Sequence, residues 1–274
     1  MKTLDGKVVV ITGAGSGIGR ALALRAAGHG AVLALSDWDE VGLVETARLV
    51  QALAHREVRT DKVDVRDRQA MHEYAASVRQ EFGRVNVIVN NAGVALHGAF
   101  EDTSYEDFQW VMDVDFWGVI QGTKEFLPHL IESGDGHVVN LSSLFGLLGM
   151  PGQTAYNSAK FAVRGFTEAL RQEMLIAGHP VQVTCVHPGG IKTAIARNSR
   201  VSGAHDQREV AKHFDTKLAR MEPDRAAEII LAGVLANRPR VVVGADAKAL
   251  DWFVRLVGPR YQRVVATAAR RLAP

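Results

Sequence analysis

Tyr156 and Lys160 stand four residues apart in TAYNSAK, residues 154 to 160, and Ser143 lies thirteen residues before the tyrosine. The stretch that follows has Phe161, Val163, Phe166, Leu170, Met174 and Leu175 at largely helical spacing and closes on Gly178 and Pro180. A helix there puts the phenol and the amine on one face, one turn apart. An ammonium near a phenol favours the phenolate and brings its pKa down from about 10 toward the range of a working general base. Such a tyrosine can take the proton of an alcohol as hydride leaves its carbon, with the Ser143 hydroxyl hydrogen-bonding the same oxygen. Taken alone, a Tyr and Lys at this spacing more often mark the exposed face of a surface helix. The elements around them decide.

The 274-residue chain is 47% hydrophobic and 23% charged, which suits one large core, and no Pro/Ser-rich linker divides it. Short β-branched runs recur at 7–12, 31–36, 58–65, 85–90, 137–142, 181–186 and 240–244, with helix-period segments between them. That alternation predicts an α/β fold: a doubly wound, parallel seven-stranded sheet covered by crossover helices on both faces. Ligands of such sheets bind beyond the carboxyl ends of the strands. Residues 191–222 are too long and polar for a plain connection and read as a lid or binding loop over a single domain, 1–247. Residues 248–274 hold six Lys/Arg against one Asp and read as an amphipathic helical extension interrupted at Gly258 and Pro259.

The first strand runs into TGAGSGIG, residues 12–19, and then into a helix pattern. Its glycines allow a tight turn and close approach of a ligand, while the helix start offers unpaired N–H groups to an anion such as a pyrophosphate. The second strand ends at Asp37, where a carboxylate accepts both ribose hydroxyls of an adenosine and repels a 2′-phosphate. No Lys or Arg occurs at 14–18 or 36–40 to offset that repulsion, so NAD(H) is expected over NADP(H). Asp64, read as the end of the third strand, reaches an adenine amino group or else caps the next helix. NNAG, residues 90–93, suits a close-packed turn over the cofactor.

In these motifs the chain resembles the short-chain dehydrogenase/reductase (SDR) family: TGAGSGIG matches its TGxxxGxG, NNAG matches NNAG, and Ser143, Tyr156 and Lys160 match its catalytic Ser and YxxxK. HPGGIKT, residues 187–193, matches its Pro-Gly motif with the later Thr. The resemblance spans about residues 5–245. It implies a Rossmann-type, three-layer α/β/α fold with strand order 3-2-1-4-5-6-7. Carried onto this sequence, it implies cofactor contacts from Gly13, Ser16, Gly17, Ile18 and Gly19 in the glycine turn. Asp37, Asp64 and Val65 follow on the adenosine side, and Asn91, Ala92 and Gly93 after the fourth strand. Lys160 holds the nicotinamide ribose beside Tyr156, with Pro188, Gly189, Ile191 and Thr193 toward the carboxamide. It also implies a homodimer or homotetramer.

One departure matters. Where the family commonly has Asn, this chain has Asp115, on the apolar stripe of the segment VMDVDFWGVIQGT. A buried carboxylate needs a partner, and Lys160, directly or through water, is the natural one. Ionised, Asp115 raises the Lys160 pKa and screens its charge from Tyr156; protonated, it mimics an amide. The expectation is a proton relay that persists with a shifted pH optimum.

Other classes find less support. Basic and acidic residues interleave and sum to +2, which does not point to nucleic acid. No HExxH, CxxC or clustered His/Asp spacing points to a metal, and no nucleophile elbow surrounds Ser142 or Ser143. Cys185 in VQVTCV reads as a core residue, and His187 as a structural strand-end residue. With no charged leader and no long apolar run, a cytoplasmic location is expected. The tail's Trp252, Phe253, Leu256 and Val257, with arginines nearby, fit an anionic membrane surface or, more commonly, packing on the parent domain or a sister subunit. Phe145, Leu147, Leu148 and Met150 after Ser143 predict an apolar pocket. The expected activity is hydride transfer between NAD(H) and a hydrophobic, lipid- or steroid-like secondary alcohol or ketone. The rivals are a 3-oxoacyl-type ketoreductase using NADPH and a nucleotide-sensing protein without turnover.

Overall fold

Val9 and Ile11 point to one side of their strand and Val8 and Val10 to the other, and all four are buried, so the sheet they belong to carries apolar packing on both faces. The computed structural model describes residues 1–54, 58–203 and 206–272. Residues 204–205 of the expected lid and 273–274 of the tail lie outside the described residues. The strands are β1 (Val8–Thr12), β2 (Val32–Asp37), β3 (Val58–Lys62), β4 (Val87–Asn90), β5 (Leu96–His97), β6 (Gly136–Leu141), β7 (Val181–Pro188), β8 (Arg200–Val201) and β9 (Arg240–Val243). Seven of them form a parallel sheet in the order β3-β2-β1-β4-β6-β7-β9, the doubly wound arrangement the sequence predicts.

The helices are α1 (Gly17–Gly28), α2 (Glu40–Ala54), α3 (Arg68–Phe82), α4 (Tyr105–Met112), α5 (Gly118–Glu132), α6 (Thr154–Ala177), α7 (Gln207–His213), α8 (Pro223–Leu235), α9 (Ala245–Val257) and α10 (Tyr261–Leu272). α1 and α8 bury their apolar stripes on one face of the sheet, around Val9, Ile11 and Leu33. On the other face α3, α5 and α6 bury Met71, Phe126 and Leu170 against Val10, Ile88 and Val138.

The middle of the sheet carries a buried polar chain across its strands. Asn90 on β4 donates from Nδ2 to Asn140 on β6 at 2.8 Å and to Thr123 on α5 at 3.0 Å. Asn140 donates in turn to the Thr167 hydroxyl on α6 at 3.0 Å.

Two details differ from the sequence expectation and a third refines it. β3 stops at Lys62 rather than reaching residue 65, because the chain turns where the Asp64 carbonyl accepts the Asp67 N–H. The segment around Asp115 is not one regular helix: a π turn, Asp113–Trp117, separates α4 from α5. The 191–222 stretch is not a plain loop. β8 pairs with β5, and Arg200 lies over the Trp110 ring at 3.9 Å while its guanidinium meets Asp107 at 2.8 Å.

Candidate active site

Past the end of β6, two adjacent serines diverge. Ser142 is buried and donates to the Lys160 carbonyl at 2.8 Å. Ser143 is only half-buried, and its Oγ accepts the Phe145 N–H at 3.1 Å. His187 on β7 engages the Ser143 carbonyl through Nδ1 at 2.9 Å. Burial pulls the His187 pKa down to about 4, so the ring is neutral near pH 7 and serves to hold the Ser143 backbone. Cys185 is likewise a core residue, its thiol pushed up to about 12 by burial.

The first turns of α6 present Tyr156 and Lys160. Phe145 stands edge-on to the Tyr156 ring with centroids 6.2 Å apart, and Lys160 Nζ lies 5.4 Å from the Tyr156 centroid. Asn157, between them in sequence, ties down the loop after Ser143. Its Nδ2 donates to the carbonyls of Phe145 and Leu148, at 2.7 and 3.0 Å, and its Oδ1 accepts the Met150 N–H at 3.0 Å. Of the four residues expected to line an apolar pocket, Phe145 and Met150 remain half-exposed. Leu147 and Leu148 turn inward, Leu148 packing with Leu144 and Ala247 of α9.

The π turn sets Asp115 beneath this cluster; such turns recur at functional sites because the wider turn re-aims a side chain. The carboxylate is fully buried, with Oδ2 3.0 Å from Lys160 Nζ and Oδ1 accepting the Val94 N–H at 2.7 Å. Lys160 also donates to the Leu141 carbonyl at 3.3 Å. Burial opposes the charge on Lys160, yet the attraction of Asp115 and of the Tyr156 phenol holds its pKa above the ordinary lysine range. Burial raises the Asp115 pKa against the pull of Lys160 and the Val94 N–H. The Tyr156 pKa is raised as well: burial is the largest cause and Asp115 adds to it, while Lys160 and the Ser143 hydroxyl oppose. The contact with Lys160 is therefore direct, and it sets a carboxylate where it counters the ammonium's effect on the phenol.

At the other end of the cleft, the glycine turn closes tightly on its neighbours. A Cβ on Gly13, at φ +65°, would lie 2.7 Å from Ala92 Cα, and one on Gly19 would overlap the Gly13 carbonyl. Asn91 fixes the turn by donating to the Thr12 and Gly13 carbonyls, and the Ala92 N–H donates to the Thr12 hydroxyl. Ser16, just before α1, is exposed and makes no side-chain cap, with no acidic residue in the first turn of the helix and Ile18 half-buried. Its first N–H groups suit an anion. Asp37 Oδ2 accepts the Gly15 N–H at 2.7 Å and Oδ1 accepts the Asp39 N–H at 2.9 Å. Burial raises its pKa against those two bonds. Each oxygen keeps acceptor capacity for a diol.

Arg20 is a residue that sequence reasoning missed. It donates to the carbonyls of Gly15 and Gly42 and to the Thr46 hydroxyl, so its guanidinium is engaged within the turn. Asp64 sits on the rim in an ion pair with Arg66 at 2.6 Å, which holds its carboxyl below the usual range. It does not cap α3; Asp67 does, accepting from Gln69 and Ala70. Val65 is buried against Gly118.

Pro188 ends β7. The Gly189 N–H donates to the Val243 carbonyl, and the Gly190 N–H to Asp246 of α9, both at 2.9 Å. Ile191 is buried, and the Thr193 methyl lies 3.1 Å from where a Cβ of Gly17 would stand, so the lid begins directly across from the glycine turn. Gly93 is exposed beside the buried pair, 3.4 Å from Lys160 Nζ measured to an added Cβ. A dinucleotide fits this groove: N–H groups for a pyrophosphate, a carboxylate for a ribose, and an open glycine above Lys160.

The short chain dehydrogenase family model matches residues 7–202. The chain belongs to the short-chain dehydrogenase/reductase family. It is an oxidoreductase of that family, whose members act on small molecules. SadH of Mycobacterium tuberculosis is 56% identical over 274 residues, covering 100% of this chain and 99% of that protein. An SDR structure from Burkholderia phymatum in complex with NAD superposes with a TM-score of 0.86 at 30% identity, over 94% of this chain and 95% of that one. An alcohol dehydrogenase from Thermococcus sibiricus complexed with 5-hydroxy-NADP gives 0.73 at 27% identity, over 88% and 95%. SDR relatives thus include holders of either nicotinamide dinucleotide.

Proposed function

We propose that this SDR protein transfers hydride between NAD(H) and a hydrophobic secondary alcohol or ketone. The observation that carries the proposal is the gathering of Ser143, Tyr156 and Lys160 at one end of the groove whose other end is the glycine turn and Asp37. Gly13, Ser16, Gly17, Ile18 and Gly19 would hold the pyrophosphate, and Asp37 the adenosine ribose. Lys160 would hold the nicotinamide ribose, with Asn91, Ala92, Gly93, Pro188, Gly189, Ile191 and Thr193 around it. The bound cofactor supplies the hydride acceptor or donor.

Ser143 Oγ hydrogen-bonds the substrate oxygen and fixes it before Tyr156. In oxidation Tyr156 takes the hydroxyl proton; in reduction it returns one to the new alkoxide. Lys160 stabilises the phenolate, and Asp115 keeps Lys160 charged and in place. NAD is favoured over NADP because Asp37 meets the ribose edge while Arg20 is engaged elsewhere. Phe145 and Met150 give the substrate side an apolar surface. The reading includes a cytoplasmic homodimer or homotetramer, for which Trp117 and Phe161 offer exposed apolar contacts.

The test is nicotinamide absorbance with NAD⁺ and a panel of hydrophobic secondary alcohols, beside a Tyr156→Phe control. Turnover that the control abolishes supports the proposal. Turnover equal in both proteins, or none with any member of the panel while NADH binds, overturns it.

A further inference from the structure

The chain after β9 has two sides. Toward the body, Ala247, Leu250 and Val254 of α9 pack with Leu144 and Leu148, which accounts for the helix being held there. Away from the body, Lys248, Trp252, Arg255 and Leu256 follow the i, i+4, i+7, i+8 spacing of a single helix face, and all four are exposed. Trp252 is 67% exposed and Leu256 78%. Arg260, in the turn between the helices, is exposed as well. α10 repeats the arrangement with exposed Arg263, Val264, Thr267 and Arg270.

The charges on this surface are unbalanced. Asp246 faces inward and accepts the Gly190 N–H; Asp251 is largely buried and accepts from Arg255 at 3.0 Å. Among the described residues no carboxylate pairs with Lys248, Arg260, Arg263 or Arg270. An exposed indole and leucine bordered by unpaired cations suit the boundary of an anionic bilayer: hydrocarbon receives the leucine, the headgroup layer receives the indole, and lipid phosphates or carboxylates meet the cations. No helix among the described residues is long and apolar enough to cross a membrane, so the fit is to its surface.

We infer that α9 and α10 form a docking surface for an anionic lipid membrane. Their inner side borders the loop after Ser143. The Tyr261 hydroxyl accepts the Gly149 N–H at 2.9 Å, and Tyr261 and Val265 face Met150, Pro151 and Asn157 across a cleft of about 380 Å³. This cleft lies against the first turns of α6, which carry Tyr156. Docking brings the cleft to the lipid boundary, where a membrane-borne hydrophobic alcohol or ketone would be taken up. That last step rests on the hydrophobic-substrate reading above.

The experiment is co-sedimentation of the full chain with phosphatidylcholine vesicles, with and without phosphatidylserine, at low and high salt. Two variants accompany it: Arg255→Gln/Arg260→Gln/Arg263→Gln and Trp252→Ala/Leu256→Ala. Binding is expected only with phosphatidylserine, weakening with salt. The triple charge variant should lose about a hundredfold in partition coefficient, at about fivefold per cation, and the apolar variant should lose binding as well. No partition into phosphatidylserine vesicles, or partition unchanged in both variants, overturns the inference. So does dissociation of a homo-oligomer by the apolar variant with lipid binding intact, which would make the face a contact between copies. Both variants should retain turnover of a detergent-dispersed alcohol with NAD⁺. A lipid result therefore stands apart from the Tyr156→Phe result, which tests the chemistry.

Discussion

The half of the sheet from β3 to β4 and the half from β6 to β9 build their parts of the groove by different means. On the first side, the groups proposed to face the cofactor are mainly backbone N–H groups at the start of α1 plus the Asp37 carboxylate. Side chains such as Asn91 and Arg20 shape the turn from behind. On the second side, the proposed chemistry belongs to side chains, and they are positioned by contacts from several other elements. Ser143 leans on His187, the loop after it hangs on Asn157 and Tyr261, and the Pro-Gly turn is tied to Asp246. The turn depends mainly on its own glycines and on the few side chains, Asn91 and Asp37 among them, that fix it. A cluster of side chains depends on the whole fold being in place. Substitutions on the first side should therefore alter cofactor choice alone, whereas those on the second should alter chemistry and stability together.

Tyr156→Phe gives the sharpest contrast: kcat should fall by about 10² to 10⁴, the usual contribution of general acid–base catalysis, with NADH affinity within about twofold of the parent by fluorescence titration. A comparable loss of NADH binding would erase the distinction between the halves. Lys160→Met should lower the free energy of unfolding by about 3–5 kcal/mol, because it leaves Asp115 as an unpaired buried carboxylate; adding Asp115→Leu should recover most of that in chemical denaturation. If the double substitution is no more stable than the single one, the pair is not what holds this region.

On the first side, Asp37→Ala should shrink the preference for NADH over NADPH by about tenfold or more in Kd, with the melting temperature little changed. An unchanged preference would place cofactor choice outside the turn. The smallest effect expected is on pH. In the proposed mechanism oxidation requires ionised Tyr156, so its rate should rise as pH passes upward through the Tyr156 pKa, which burial and Asp115 hold above the ordinary tyrosine range. Asp115→Asn removes the nearby negative charge and should move that rising limb to lower pH. An unmoved pH–rate profile would mean that Asp115 has no electrostatic hold on the phenol.

What was legible in the sequence follows the same division. The glycine turn, Asp37 and the spacing of Tyr156 and Lys160 are local patterns, the parallel seven-stranded sheet follows from alternating strand and helix periods, and the strand order from the resemblance to the family. The π turn at Asp113–Trp117 was not legible, because an i to i+5 hydrogen bond leaves an apolar stripe looking helical. Asp115 was therefore seen as inward-facing, but its direct contact with Lys160 emerged only with the turn. The end of β3 was missed because Val63 and Val65 prolong the β-branched run past Lys62, where the strand ends. His187 and Asn157 carry no motif of their own; each acts on the Ser143 loop from another element. Tyr261 lies in the amphipathic tail and Asp246 just before it, and nothing in the periodicity there reveals that they grip the loop after Ser143 and the Pro-Gly turn.

The buried amides at the centre of the sheet have a consequence for assembly. Asn90 pairs in register with Asn140, and Thr123 and Thr167 approach from the helices on that side. A slip of β4 against β6 by one residue would set Asn90 opposite an aliphatic neighbour and leave donors and acceptors stranded in a dry interior, at about 1–3 kcal/mol for each unsatisfied group. The valine-rich strands on either side would accept several alignments about equally well. The two asparagines thus act as a key for strand alignment, admitting the one register that brings the end of β4 level with the end of β6, with Gly93 and Ser143 just beyond them.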